Sequence, residues 1–260
     1  VYGLLQYFGF EQFFTDIIHQ APNRRVLGTV GNPSHFAAYL SCVLPIAVSQ
    51  PGLRWKMGTG IILLALCASR SLGGMIAAVV GLLWVLWRRS RRMAWVTLAV
   101  IVGVAVWQGI RDYVGLQHGH STTVFSLSGR LPRWELFFDM AHRSLITGIG
   151  PGGILTLSQT ITDPNHLLYH WRHVHNEWFQ SLIEQGVIGL GPLLWMVGHA
   201  WRIWWRLTPT PIVLTLGGIG LVFLLASLVN FPCHLWVLSS FGLLAYCGVY
   251  VLDAERFVLE

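Results

Sequence analysis

Long apolar runs separated by short polar breaks dominate the chain. Seven runs come near the length of a membrane-crossing helix, about 20 residues with a range of roughly 17–25. They are Pro33–Gln50, Lys56–Arg70, Ser71–Trp87, Met93–Ile110, Trp178–Ala200, Pro211–Asn230 and Leu235–Leu252. The second is short, so Lys56–Trp87 also reads as one long helix. Basic residues separate the two readings, because short loops rich in Lys and Arg stay on the cytoplasmic side. Arg54 and Lys56 precede this stretch, and Arg88, Arg89, Arg91 and Arg92 follow it. One crossing puts the clusters on opposite sides. Two crossings, turning at Ser69-Arg70-Ser71 ahead of Gly73-Gly74, put both inside. Parity then carries Arg202 and Arg206 inside and leaves Asn230–His234, which has no Lys or Arg, outside.

The pattern predicts an all-α fold, a polytopic transmembrane helical bundle of about seven spans with one large outer loop. Residues 1–110 hold an outer N-terminal segment and the first four spans, 111–177 the loop, and 178–260 the last three spans. Loops of this length are uncommon without a purpose. Within it, Arg130–Ser144 reads as an amphipathic helix. Leu131, Trp134, Phe137, Phe138 and Ala141 fall at helical spacing on one side, and Arg130, Arg133 and Arg143 supply charge. Such a helix lies along the membrane surface or packs over the bundle mouth.

Composition narrows the function. The chain is 54% hydrophobic and only 11% charged, with a mean hydropathy of +0.57. Soluble domains carry roughly 25% charge, so a soluble enzyme, a disordered tail and a nucleic-acid-binding module are excluded. Thirteen Trp, 13 Phe and 7 Tyr suit membrane interfaces. Cys42, Cys67, Cys233 and Cys247 form no CxxC pair, so neither a disulfide framework nor a zinc ribbon is expected. The chain opens on Val1 without a signal-peptide pattern and reads as a piece of a longer protein.

Three polar features could carry chemistry. Arg70 sits between the apolar segments Ile61–Ala68 and Met75–Trp87. An arginine there faces a cavity or partner, or snorkels to the outer headgroups. Arg130 stands at a helix start within Ser128–Trp134, where a planar guanidinium and a helix N-terminus both suit phosphate; a solvated charged face is the plainer reading. His166, His170, His173 and His175 fall within ten residues. Zinc could use several imidazoles, but no motif spacing with a carboxylate, such as HExxH, is present. A general base and a set of interfacial histidines are the other readings. Gly148–Gly153 is glycine-rich, but no Gly-Lys-Ser/Thr follows, so a tight outer turn fits better than a phosphate cradle. No Asp-x-Asp occurs among the 11 acidic residues, which disfavours a metal-dependent transferase using nucleotide sugars. An enzyme on the outer face also needs a pre-activated donor delivered by the membrane.

Four segments, in order, resemble the O-antigen ligase and polymerase family of bacterial membrane glycosyltransferases. They are Gly28-Thr29-Val30-Gly31-Asn32-Pro33 through Leu40, Ser69-Arg70, Gly129-Arg130 through Gly148-Ile149-Gly150-Pro151-Gly152, and His175-Asn176-Glu177-Trp178-Phe179-Gln180 with Glu184-Gln185-Gly186-Val187-Ile188-Gly189-Leu190. Each is common alone; the four in order around one loop are specific, and the likeness is close over about residues 25–200. The resemblance implies a multi-pass protein of the bacterial inner membrane, with further spans in full-length members and a large periplasmic loop. It implies transfer of a glycan from an undecaprenyl-pyrophosphate-linked donor to a hydroxyl of lipid A-core, a growing glycan or a protein. It puts the catalytic histidine at His175, which Asn176 follows directly, and the pyrophosphate-associated arginines at Arg70 and Arg130. Arg133, Asn176, Glu177 and His173 become substrate-binding candidates.

These residue types suit that reaction. Pyrophosphate leaves readily, and two arginines can offset its charge, so neither metal nor cofactor is expected. One histidine suffices as general base, a contribution of roughly 10²–10⁴-fold. A single displacement inverts the anomeric carbon. Glu177 or Glu184 is a candidate to orient the histidine. Within the class, a ligase, a Wzy-like polymerase and a protein O-oligosaccharyltransferase are the readings. From another class, a transporter or flippase of lipid-linked sugars would use the arginines without His175, but its matching halves are not seen.

Overall fold

The computed structural model describes residues 2–8, 26, 28–103, 131–159, 173–230 and 232–259, with Leu131, Pro132, Arg133, Met140, Val229 and 256–259 described by backbone alone. The described residues are helical, with no strand among them. The helices are α1 (Tyr2–Tyr7), α2 (Pro33–Ser49), α3 (Leu53–Ser69), α4 (Leu72–Arg89), a helical stretch α5 at 91–103, α6 (Leu131–Ala141), α7 (Gly153–Ser158), α8 (Glu177–Arg206), α9 (Pro211–Val229) and α10 (Trp236–Leu259).

Local sequence sets the starts. Asn32 Oδ1 accepts the N–H groups of Ser34 (2.8 Å) and His35 (3.3 Å), with Pro33 as the first residue of α2. Thr210 caps α9 in the same way, with Pro211 at its start. Both pairs combine a side-chain acceptor with a proline whose missing N–H costs nothing there. The stretch between the two basic clusters is two helices. Arg70 ends α3 in the left-handed conformation, its N–H donating to Cys67 O at 3.1 Å, and Ser71 caps α4.

Packing fixes the directions. Near their starts, Gly74 of α4 approaches Ala37 of α2. At their ends, Arg89 donates to the carbonyls of Val48 (2.8 Å) and Ser49. The two helices are therefore parallel, with α3 running back between their ends. Helix α9 is antiparallel to α4, with Val222 against Gly81 and Trp84 against Gly217, while Pro45 of α2 fits against Gly218. Small residues at these points let the backbones come close. Trp84, Val85, Trp204, Leu214, Ile219 and Tyr246 fill one core, and Phe36, Ala37, Leu40, Leu44 and Leu66 another.

The outward faces stay apolar. Met57, Leu64, Trp195 and Leu244 are exposed, and Trp236 is 90% exposed. Among the described residues, four helices are long and apolar enough to cross a membrane: Leu72–Arg89, Glu177–Arg206, Pro211–Leu228 and Trp236–Glu255; Pro33–Ser49 is a shorter apolar helix. Arg54 and Lys56 share an end of the bundle with Arg88, Arg89, Arg91, Arg92, Arg202 and Arg206. Arg88 donates there to the carbonyls of Trp204 (2.8 Å) and Leu207 (2.6 Å). Helix C-termini leave carbonyls without partners, and the arginines supply them.

Helix α8 starts one residue before the expected span and runs past its end, and it is broken. Gly186 (φ 67°, ψ −172°) interrupts it. Leu145–Gly150 lies across the gap. Ile149 and Gly150 donate to the carbonyls of Ile183 (3.0 Å) and Glu184 (2.9 Å), and Val187 and Ile188 donate to those of Leu145 (2.8 Å) and Ile146 (3.2 Å). The glycine run is thus a turn fitted to a helix break. A Cβ on Gly186 would stand 2.3 Å from Ile146 O, and one on Gly148 2.2 Å from Glu184 O. Left-handed backbone costs a non-glycine residue about 1–2 kcal/mol, and the backbone contact adds to that. Gly186→Ala and Gly148→Ala should each lose more than about 2 kcal/mol in detergent thermal unfolding. Gly191→Ala, whose Cβ meets open space, should change little.

Candidate active site

The end opposite the arginines is where α2, α4 and α8 begin and α9 finishes. Ser41 Oγ donates to Gly74 O at 2.8 Å, joining α2 to α4. The His35 side chain hydrogen-bonds Asn230 at the end of α9. Beyond Asn230, the turn Pro232–His234 meets α8. Cys233 N–H donates to Glu177 Oε1 at 2.8 Å, and His234 Nδ1 lies 3.2 Å from the same oxygen. The rings of His234 and His173 are 4.2 Å apart, and His173 Nδ1 is 3.5 Å from Gln180 Nε2. These links bring Arg70, His35, His173, His175, Glu177 and His234 to one end of the bundle.

Two residues expected from the sequence share an unusual backbone. Among the described residues, the non-glycine positions with positive φ are Arg70 (49°) and His175 (57°). Such strain concentrates at functional sites and persists only where neighbours hold it. Around Arg70, Ser69 Oγ donates to Leu66 O (2.6 Å) and accepts Ser71 N–H (3.3 Å). Around His175, Asn176 Oδ1 caps α8 by accepting Phe179 N–H at 3.0 Å. On its other side, Val174 is buried with Phe137, Ala141, Ile154 and Ile183, and Val174 O accepts the Trp134 Nε1–H at 2.7 Å. The expected amphipathic helix therefore uses its apolar side against α8, over the polar end. Phe138 stacks on Phe179 with centroids 6.5 Å apart. Arg133 lies in the first turn of α6. Arg130, His166 and His170 lie outside the described residues.

The two carboxylates considered for orienting His175 also tie other elements to α8. Glu184 Oε1 accepts Ile154 N–H at 3.4 Å, tying α7 to the helix break. Glu177 serves the 232–234 turn. Burial, and then the Glu177 charge and hydrogen bond, push the Cys233 thiol up to about 12. Although the residue keeps an exposed edge, the thiol therefore stays protonated at neutral pH. Among the described residues no group of His, Cys, Asp and Glu is arranged to hold a metal ion. The sequence reading missed His35, Asn230, Cys233 and His234. The one available signal was the polar interruption Asn230–His234 between two apolar runs; its partner on α8 is 57 residues away.

Apolar helices with histidines, an arginine and a buried carboxylate gathered at one end make this a membrane protein with its polar chemistry at a single face. The sequence matches the O-antigen ligase family over residues 57–194, more than half of the 260-residue chain, and the chain belongs to that family. The match runs from α3 past the break in α8 and contains Arg70, Arg130 and His175. A search of curated proteins finds no match.

Asn176 has a measurable structural duty. Loss of such a cap costs about 0.5–2 kcal/mol, so Asn176→Ala should lower thermal stability by that amount, while Asn176→Ser should keep it. A stable Asn176→Ser form that has lost activity would assign Asn176 a role beyond the cap.

Proposed function

We propose that the protein is a glycosyltransferase of the bacterial inner membrane. It moves a glycan from undecaprenyl pyrophosphate to an acceptor hydroxyl at the periplasmic face. The observation that carries this reading is the pair of strained residues, Arg70 and His175. Both fall on the family's motifs, and both sit at the end away from the arginine cluster. By the positive-inside rule that cluster faces the cytoplasm, so the polar end faces the periplasm. Residues 1–110 then supply four spans, 111–177 a periplasmic loop, and 178–260 three more.

In this reading Arg70 and Arg130 hold the pyrophosphate and His175 is the base. The acceptor oxygen bonds to the anomeric carbon as its proton passes to His175. The bond from that carbon to pyrophosphate breaks, and its electron pair leaves on the phosphate oxygen. Attack opposite the leaving group inverts the carbon. Fixed guanidinium groups stabilise the departing charge, which makes the step metal-independent. Arg133, Asn176, Glu177 and His173 surround the glycan. Lipid A-core is the proposed acceptor, with a growing glycan, as in a Wzy-like polymerase, or a protein hydroxyl as the alternatives.

The test is release of undecaprenyl pyrophosphate from a lipid-linked glycan in proteoliposomes, with the acceptor varied. His175→Ala should lower acceptor-dependent release by about 10²–10⁴-fold, and Arg70→Ala and Arg130→Ala should weaken donor use. The acceptor that works separates ligase from polymerase. Parent-like transfer by His175→Ala would remove it as the base, and lipid movement without cleavage would favour a flippase. Chelators should leave the rate unchanged. Impermeant labelling should reach cysteines placed in 111–177 from the periplasm and those placed at 88–92 only from the cytoplasm.

A further inference from the structure

We infer that Glu177 and His234 form a carboxylate–imidazole dyad that receives the proton released in glycosyl transfer and so resets His175. The inference rests on the glycosyl-transfer reading above. Glu177 is the first residue of α8 and is 7% exposed. A negative charge is favoured there by the positive end of the helix. Its Oε1 takes the Cys233 N–H and faces His234 Nδ1. A carboxylate on Nδ1 holds the imidazole in the tautomer whose Nε2 is open to a proton, and it offsets the charge once that proton arrives. The His234 side chain keeps 40% of its surface exposed, so the ring can exchange a proton with water.

The dyad is held from several directions. The Cys233 bond fixes the turn that carries His234, and the His173 ring lies against the His234 ring. Glu177 is also tied by chain to the proposed base, since His175 and Asn176 immediately precede it. Among the described residues, the titratable groups around the carboxylate are His173, His234 and Cys233. Tyr246 lines a cavity of about 70 Å³ with Glu177, and His35 of α2 is held by the neighbouring Asn230. In the reaction, His175 takes the hydroxyl proton as the carbon–oxygen bond forms and pyrophosphate departs with its electron pair. That proton then comes to rest on Nε2 of His234, opposite the Glu177 charge, before passing to water. Glu177 and His234 thus act through His175 as positioning and proton-holding residues.

The experiment compares the parent with Glu177→Gln, Glu177→Asp, His234→Gln, the Glu177→Gln/His234→Gln double form and His175→Ala, in proteoliposomes with lipid-linked donor. Glutamine at 177 still accepts the Cys233 N–H but carries no charge. Glu177→Gln and His234→Gln should lower steady-state kcat at least about tenfold, with the first turnover preserved as a burst. The double form should lose no more than the worse single form, because the pair works as one unit. Glu177→Asp should outperform Glu177→Gln. A purely structural carboxylate predicts the reverse, with Glu177→Gln turning over like the parent, and that result would overturn the inference. If Glu177→Gln proves unstable in detergent, the more exposed His234→Gln decides alone. Loss of transfer in His175→Ala beside parent-like Glu177→Gln and His234→Gln defeats only the dyad. Parent-like His175→Ala defeats the base assignment of the transfer reading instead.

Discussion

Backbone polar groups inside an apolar bundle have no water to turn to, so each must find a partner within the protein. The break in α8 at Gly186 meets this constraint by borrowing a loop. Leu145–Gly150 closes the gap with four backbone hydrogen bonds, and in doing so becomes part of the helix. Its described neighbours share the attachment. Helix α7, which follows, is held to Glu184, while α6, which precedes the loop, packs beside α8 and grips the carbonyl of Val174 through Trp134. His175 follows directly. His173 and His175, on either side of Val174, are thus presented from a fixed frame.

The same frame explains how strain is tolerated at two places. Arg70 and His175 each occupy backbone space that suits glycine. Each is bracketed by groups with firm bonds, serines around Arg70, and Val174 and Asn176 around His175. Strain of roughly 1–3 kcal/mol at one residue is sustained by several such bonds. The strained residues need not be stable on their own account; their neighbours are.

Much of the helix arrangement was legible because hydropathy and charge are local properties. The turn at Ser69-Arg70-Ser71 followed from the basic residues on either side, and the structure breaks the helix there. The apolar stripe Trp134, Phe137 and Ala141 was visible by spacing, though spacing could not tell a membrane surface from α8. The break at Gly186 was hidden, since one glycine between Gln185 and Val187 hardly alters the average of an apolar run. Only its contact with Gly148 gives it meaning. His35, Cys233 and His234 escaped for a related reason. Their chemistry comes from Asn230 and Glu177, partners brought near by folding and not by sequence. Asn176 read as a sugar ligand because it follows the histidine, while its position before a helix equally marks a cap.

The arginines at the far end have a mechanical consequence. Arg88 binds the terminal carbonyls of α8, and Arg89 those of α2, so one helix end holds two others by charge-assisted bonds. Those three helix ends cannot separate without stripping these carbonyls of their partners. At the opposite end α2 and α8 meet the end of α9 and the turn after it through imidazoles, an amide and one carboxylate, contacts that water and a polar ligand can replace. A bundle clasped at one end and exchangeable at the other has a built-in fulcrum. Any widening of that polar end has to pivot about the arginine clasp, with displacement growing toward the histidines.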